Sequence, residues 1–211
     1  MTLGPALAGG LRALNIDVDA ATQGKLLSYV ALLEKWNRTH NLTAIRAPGR
    51  MVTHHLLDSL AVLAHLPRVD SLRLVDVGSG AGLPGIPLAL VRPAWRVALV
   101  DSNRKKAAFL RQAAAELPLP NIEVVGTRVE SYEPDAPFDI AISRAYSELE
   151  RFVADASRLA PAGRWLAMKG VLPRDELERL PSSVRVVAVP RLEIPGVKEE
   201  RHLVIMERAP A

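Results

Sequence analysis

The residues able to do chemistry in this sequence gather around one glycine-rich turn. The apolar run at 72–77 ends in Asp76-Val77-Gly78-Ser79-Gly80-Ala81-Gly82-Leu83-Pro84-Gly85, and an apolar segment resumes at Ile86. That pattern reads as a buried strand, a tight loop and a helix whose N-terminus faces whatever the loop holds. Glycines allow backbone N–H groups to approach a ligand where a side chain would block it. Asp101 follows Gly78 by about twenty residues, the spacing at which a carboxylate can accept both hydroxyls of an adenosine ribose. Three cations, Arg128, Arg144 and Lys169, each fall just after or at the end of a different apolar run.

These residues need a scaffold that collects strand ends at one edge. Apolar runs at 72–77, 96–100, 122–125, 139–143, 165–169, 184–189 and 202–207 read as strands, separated by helical spacing near 86–91, 104–116, 149–159 and 174–180. Regular alternation of this kind predicts an α/β fold, a parallel sheet with helices on both faces. The segment 190–200 leaves little room for a crossover helix, so the last strand is expected to run antiparallel in a seven-stranded, mostly parallel sheet. Ligands in such sheets bind beyond the carboxyl ends of the strands, where the strand order reverses. The strand-end residues are then Gly78, Gly80 and Gly82 after the first strand, Asp101 and Ser102 after the second, and 126–130 after the third. Arg144 follows the fourth, and Lys169-Gly170 the fifth.

Residues 1–70 read as an N-terminal helical cap and 71–211 as the sheet core, the two forming one integrated unit. Helical spacing covers 5–14 and 22–36, with Leu26, Leu27, Val30 and Leu33 on one face and Asp19 or Thr22 as the cap of the second helix. The polar cluster Trp36-Asn37-Arg38-Thr39-His40-Asn41-Leu42-Thr43 is expected to break that helix. Trp36, Asn37 and Asn41 then pin the cap to the sheet. A third amphipathic segment spans 49–66 and is stopped by Pro67. Within it His55 and Asp58 share a helical face; they read either as metal ligands, as an acid/base pair or as a structural hydrogen bond, the last being preferred because no third ligand lies nearby in sequence.

With 211 residues, 49% hydrophobic and 24% charged, the chain can bury a substantial core. The absence of cysteine excludes disulfides, thiolate catalysis and thiolate-bound metal. No apolar run is long enough to span a bilayer, and no secretion signal is visible, so a cytoplasmic monomer without a membrane partner is expected. A net charge of +4 becomes informative only if the cations cluster. Arg128, Arg144 and Lys169, extended by Arg191, Lys198 and Arg201, predict a cationic mouth suited to a polyanion such as RNA. Lys105 and Lys106 oppose the dipole at a helix start, which hints at a use beyond helix stability.

A nicotinamide cofactor would require G-x-G-x-x-G, but Leu83 occupies the third glycine position. Asp-x-Gly-x-Gly-x-Gly with Asp101 and an antiparallel last strand is instead the pattern associated with S-adenosylmethionine-dependent methyltransferases of Rossmann-like, class I fold. Methylation at pyrimidine C5 generally needs a cysteine nucleophile, and none exists. Methylation of exocyclic amino groups usually goes with Asn/Asp-Pro-Pro-aromatic after the fourth strand, where this chain has Ser143-Arg144-Ala145-Tyr146. A target whose lone pair is already free, such as guanine N7, fits what remains. A small-molecule methyltransferase with the same core, and a non-catalytic nucleic-acid-binding protein that kept the pocket, are the rival readings.

The chain resembles the bacterial small-subunit rRNA methyltransferase G family, also called glucose-inhibited division protein B. The resemblance is carried by Trp36-Asn37, 41–45, His55-Leu56-Leu57-Asp58-Ser59, 76–87, Asp101-Ser102, Phe109-Leu110, Ser143-Arg144-Ala145, Lys169-Gly170 and Arg201-His202-Leu203-Val204. It implies methyl transfer from S-adenosylmethionine to N7 of one guanosine in 16S rRNA, free or within the small ribosomal subunit. By position it implies cofactor contacts from Gly78, Leu83, Val129 and Glu130. Arg144 would reach cofactor or substrate, and Lys105, Arg128, Lys169 and Arg201 would contact RNA or the target base. His54 departs from the family, which often carries arginine there.

Overall fold

The computed structural model describes residues 2–146 and 148–210. Helix α1 (Leu3–Ala13) packs on α2 (Ala20–His40). Of the two capping candidates Asp19 is the one used, its Oδ1 accepting the Thr22 N–H at 2.7 Å. Helix α2 continues through the first part of the polar cluster and breaks within it, at Asn41, which turns left-handed at φ 49°. Tertiary contacts override local polarity here. The Trp36 ring packs edge-on against Phe109, 5.6 Å between centroids, and the Asn37 side chain accepts from Thr43 N at 2.9 Å and donates to Ile45 O at 3.3 Å. Trp36 thus ties the N-terminal helices to the sheet layer, whereas Asn37 organises the loop that follows its own helix.

The segment expected as one amphipathic helix has four parts: α3 (Pro48–Met51), a π-helix over Val52–Leu57, α4 (Asp58–Leu60) and a 3₁₀ turn over Ala61–His65. A π turn widens the helix and re-aims side chains, a deviation frequent at functional sites. This one carries His54 and His55 and delivers Asp58.

From residue 73 the chain alternates: β1 (Arg73–Val77), α5 (Gly85–Val91), β2 (Arg96–Val100), α6 (Arg104–Glu116), β3 (Ile122–Val125), β4 (Ile140–Arg144), α7 (Leu149–Leu159), β5 (Arg164–Lys169), α8 (Arg174–Glu178), β6 (Val184–Ala188) and β7 (His202–Arg208). The seven strands lie in the order β3-β2-β1-β4-β5-β7-β6. Strands β1 to β5 run parallel to one another, and β7 runs antiparallel to both β5 and β6. The order reverses at β1, so the chains leaving β1 and β4 diverge to opposite sides and open a crevice between them.

Alternation along the strands divides the core. Leu74, Val97 and Leu99 face one side, with α5, α6 and the N-terminal helices. Val75, Val77, Ala98 and Val100 face the other, with Phe152, Val153 and Leu159 of α7. Leu7, Leu33 and Met51 belong to the same buried cluster as Leu74 and Leu99. The N-terminal helices and the sheet therefore share apolar surface instead of meeting across a polar seam.

The neighbouring glycines of α1 separate packing from helix propensity. A Cβ at Gly10 would meet Leu57 Cδ1 at 2.2 Å, whereas one at Gly9 meets nothing within 4 Å. Gly9→Ala should stabilise the protein by about 1 kcal/mol in denaturant melts. Gly10→Ala should destabilise it by about 1–3 kcal/mol through overpacking.

Candidate active site

The glycine turn is left-handed at three alternate positions, Gly78 (φ 70°), Gly80 (φ 60°) and Gly82 (φ 83°), where an L side chain is strained. At Gly82 space excludes a side chain as well, since a Cβ would lie 2.4 Å from Ile86 Cδ1. Neighbouring elements hold the turn. Gly78 N and Ser79 N both donate to Val100 O, at 2.9 and 3.0 Å. Gly80 N donates to Asp101 Oδ2 at 2.8 Å, and Asp101 Oδ1 accepts from Asn103 N at 2.8 Å. The buried Tyr29 hydroxyl of α2 donates to Ala81 O at 2.6 Å. Beneath the turn, Asp76 is fully buried. Its Oδ2 accepts from Gly85 N at 2.9 Å, while Oδ1 has no partner. Burial raises its pKa to about 7, opposed by the Gly85 hydrogen bond and the nearby Arg144 charge.

Two clefts open at the carboxyl ends of the strands. The first, about 270 Å³, is lined by Gly78, Asp101, Ser102, Lys106, Arg128, Val129, Glu130, Ala145, Tyr146 and Arg151, among others. The second, about 320 Å³, is lined by Ile45, His54, His55, Asp58, Arg144, Ala145, Met168, Lys169, Gly170 and Arg201. They meet at Ala145. A hollow of about 400 Å³ lies at the opposite sheet edge, beside Arg73 and Arg96. It collects strand beginnings, away from the glycine turn and from both aspartates, so size does not choose the site.

Five of the residues read from sequence as cofactor contacts, Gly78, Asp101, Ser102, Val129 and Glu130, line the first cleft. Gly80, Gly82 and Leu83 form the turn beside it, with Leu83 4% exposed in the core. Arg144 lines the second cleft with Lys169 and Arg201, and Arg128 the first. Lys105 lines neither; its backbone N–H is capped by Asn103 Oδ1 at 3.0 Å at the start of α6. Lys106 Nζ stands 3.9 Å from Asp101 Oδ2. The donor set suits an adenosine-type ligand in the first cleft: a carboxylate at the end of β2, a glycine turn open to close approach, and the edge formed by buried Val129 and exposed Glu130.

The second cleft is organised by Asp58. Its Oδ2 accepts from Arg144 Nη1 at 2.9 Å and its Oδ1 from Arg201 Nε at 3.0 Å. Arg144 Nη1 also donates to His54 O at 3.0 Å, and Nη2 lies 3.2 Å from His55 Nδ1. His55 Nδ1 also lies 3.0 Å from the His54 carbonyl oxygen, between an acceptor and the Arg144 donor, and Nε2 lies 2.9 Å from Thr43 Oγ1, so both ring nitrogens are engaged. Burial, followed by the Arg144 charge, lowers the His55 pKa to about 4, which keeps the ring neutral. His55 and Asp58 thus meet through Arg144, in place of the direct structural hydrogen bond preferred from sequence. Lys169 Nζ is held by Glu176, at 2.7 and 3.1 Å from its two carboxylate oxygens.

Sequence reasoning missed Tyr29, Thr43, Tyr146 and the convergence of Arg144 and Arg201 on one carboxylate. Partners as far apart as Asp58 and Arg201 carry no local signal. Ala145 is likewise unmarked, since alanine gives no hint of a positive φ, yet it sits at 61° between the clefts.

The His55 shift predicts an acid limb in stability. The folded pKa lies below the unfolded value of 6.5, so this contribution is complete above pH 6.5 and is lost as pH falls through about 4. The difference in unfolding free energy between wild type and His55→Gln should therefore shrink by about 3 kcal/mol over that window. Urea melts of both proteins from pH 7 to 4 measure it, and taking the difference removes the opposite contribution of Asp76.

The chain is similar to proteins of known class over nearly its whole length. The family model for rRNA small subunit methyltransferase G matches residues 22–204. Ribosomal RNA small subunit methyltransferase G of Aromatoleum aromaticum is 54% identical over 207 residues, covering 96% of this chain and 97% of the relative. Its counterpart in Nitrosospira multiformis is 51% identical over 211 residues, covering 96% of each. Among solved structures, a ribosomal protein L11 methylase from Lactobacillus delbrueckii subsp. bulgaricus superposes with a TM-score of 0.58 at 18% identity, over 73% of this chain and 77% of that one. At that identity the likeness speaks to the fold, the class I methyltransferase sheet. Family-model coverage and near-full-length identity agree: the chain belongs to the rRNA small subunit methyltransferase G family.

Proposed function

We propose that this protein transfers the methyl group of S-adenosylmethionine to N7 of one guanine in 16S rRNA, and that the two joined clefts divide the work. The observation that carries the reading is their meeting at Ala145, with a carboxylate-edged cleft on one side and a cation-walled cleft on the other, in a chain of this family. Asp101 accepts the ribose hydroxyls, the turn at Gly78, Gly80, Gly82 and Leu83 closes on the methionine end, and Ser102, Val129 and Glu130 border the adenine. Arg144 stands at the junction. Bound there, the cofactor supplies a methyl group on positively charged sulfur, and the S–C bonding pair stays with sulfur as the N7 lone pair forms the new C–N bond.

N7 carries no proton, so the chain has no proton to remove before attack. Its contribution is to hold the base in line and keep water out, an effect worth up to about 7–11 kcal/mol in ideal cases. His55 is no free base, because both ring nitrogens are engaged, Nδ1 by Arg144 and the His54 carbonyl and Nε2 by Thr43. Arg128 and Lys105, outside the second cleft, meet RNA phosphates, while Lys169 and Arg201 flank the base. The N-terminal residues 1–70 act as one wall of this cleft, a role supported by His54, His55 and Asp58 lining it. An rRNA substrate places the reaction in the cytoplasm.

The reading is tested by incubating the protein and cofactor with small ribosomal subunits and with protein-free 16S rRNA, then digesting to nucleosides. Formation of 7-methylguanosine at a single position is expected, and label on a free metabolite with unmodified rRNA would refute it. The division of labour has its own test by calorimetry. Asp101→Ala should weaken cofactor binding by about 1.5–3 kcal/mol, roughly 10–100-fold. Lys169→Ala should leave that affinity nearly intact and slow transfer to rRNA.

A further inference from the structure

The side-chain cluster under the second cleft has more order than a tie between elements requires. One carboxylate, 3% exposed, lies beneath two guanidiniums that keep 21% and 25% of their surface exposed toward the cleft. Each Asp58 oxygen takes one arginine, from β4 and from the residue just before β7, so neither guanidinium can rotate away without leaving a buried oxygen unpaired. His55 and the His54 carbonyl hold Arg144 from two further directions. Arg201 is also fixed by its own Nη1 donating to Glu200 O at 2.8 Å. The residue after Arg144 is kept at φ 61°, a left-handed conformation unfavourable for alanine, at the point where the clefts join. Strain and hydrogen bonding agree in fixing one guanidinium at that junction.

Charge gives the arrangement its purpose. With His55 neutral, the cluster of Asp58, Arg144 and Arg201 carries one net positive charge. Lys169 is already balanced by Glu176 at the cleft edge. A guanine methylated at N7 gains a full positive charge, so a wall of two uncompensated arginines would oppose transfer while attracting RNA. We propose that Asp58 is a positioning residue for methyl transfer: buried behind Arg144 and Arg201, it fixes both guanidiniums as a wall of the guanine cleft and cancels one of their charges, so that the base can become cationic beside them. The role rests on the guanine-N7 reading above and assigns to Asp58 no contact with the substrate.

The test compares wild type, Asp58→Asn and Asp58→Asn/Arg201→Gln in single-turnover transfer to small ribosomal subunits, with cofactor affinity by calorimetry and thermal melts alongside. Asp58→Asn should lower the rate at saturating rRNA by about 10–100-fold, as for loss of a partner that orients a functional group, with cofactor affinity nearly unchanged. The double variant restores the net charge of the cluster and should recover at least about tenfold of that loss, while needing more rRNA to saturate. A wild-type rate for Asp58→Asn, or a double variant no faster than the single one while both melt like wild type, would overturn the proposal. Should Asp58→Asn fail to fold, the charge-balanced double variant decides alone. A saturating rate within about tenfold of wild type supports the proposal, and a larger deficit overturns it. Absence of 7-methylguanosine with wild type would instead refute the functional reading, and the role of Asp58 with it.

Discussion

A backbone that turns left-handed at Gly78, Gly80 and Gly82 carries the chain out of the β1–β2 ladder within a residue or two, and the rest of the site follows from how its N–H groups are satisfied. Val100 at the end of β2 takes two of them, and Asp101 takes a third with the same carboxylate that faces the first cleft. Tyr29 reaches across from α2 to the Ala81 carbonyl. The turn is thus tied to the neighbouring strand, to the ligand-facing acid and to the N-terminal helices. Its shape belongs to the assembled fold.

The second cleft obeys an electrostatic constraint. A site for RNA needs cations, but a site where a base turns cationic is hindered by them. On the proposed reading these demands are separated in space. Arg144, Arg201 and Lys169, which line the second cleft, are each paired with a carboxylate, Asp58 or Glu176. Arg128 lines the first cleft, and Lys105 stands outside both. Pairing also converts flexible side chains into fixed donors, since Arg144 is held by Asp58, His54 and His55 at once. The π-helix contributes directly, because its histidines and the acid that follows it are the groups that grip Arg144.

How much of this was legible in the residues varies with the distance over which each feature is decided. Strand positions, the antiparallel last strand and the glycine turn follow from apolar periodicity and local backbone demands. The structure reproduces them with ends shifted by a residue or two. Helix α2 ends inside its polar cluster, but four residues later than Trp36, because Trp36 gains an aromatic partner in α6 and Asn37 satisfies the next loop. The third helix was legible as helical but not as partly π, since the distinction depends on where His55 and Asp58 must point. Asp101 and Arg128 could be placed at the mouth because they follow strands. The pairing of Asp58 with Arg144 and Arg201 could not.

The sequence by itself determined the alternation of strands and helices, the conformational freedom of the glycine turn, the acid at the end of β2 and the family motifs. Each depends on residues close in the chain or on spacing that a helix or strand converts directly into position. Only the tertiary structure decided which cations face which cleft, that Ala145 joins the two, and that one buried carboxylate governs two arginines. Those outcomes arise where β4, β7 and the π-helix converge. Their physical cause is that a buried charge needs partners on every side, and sequence order does not say which distant elements will supply them.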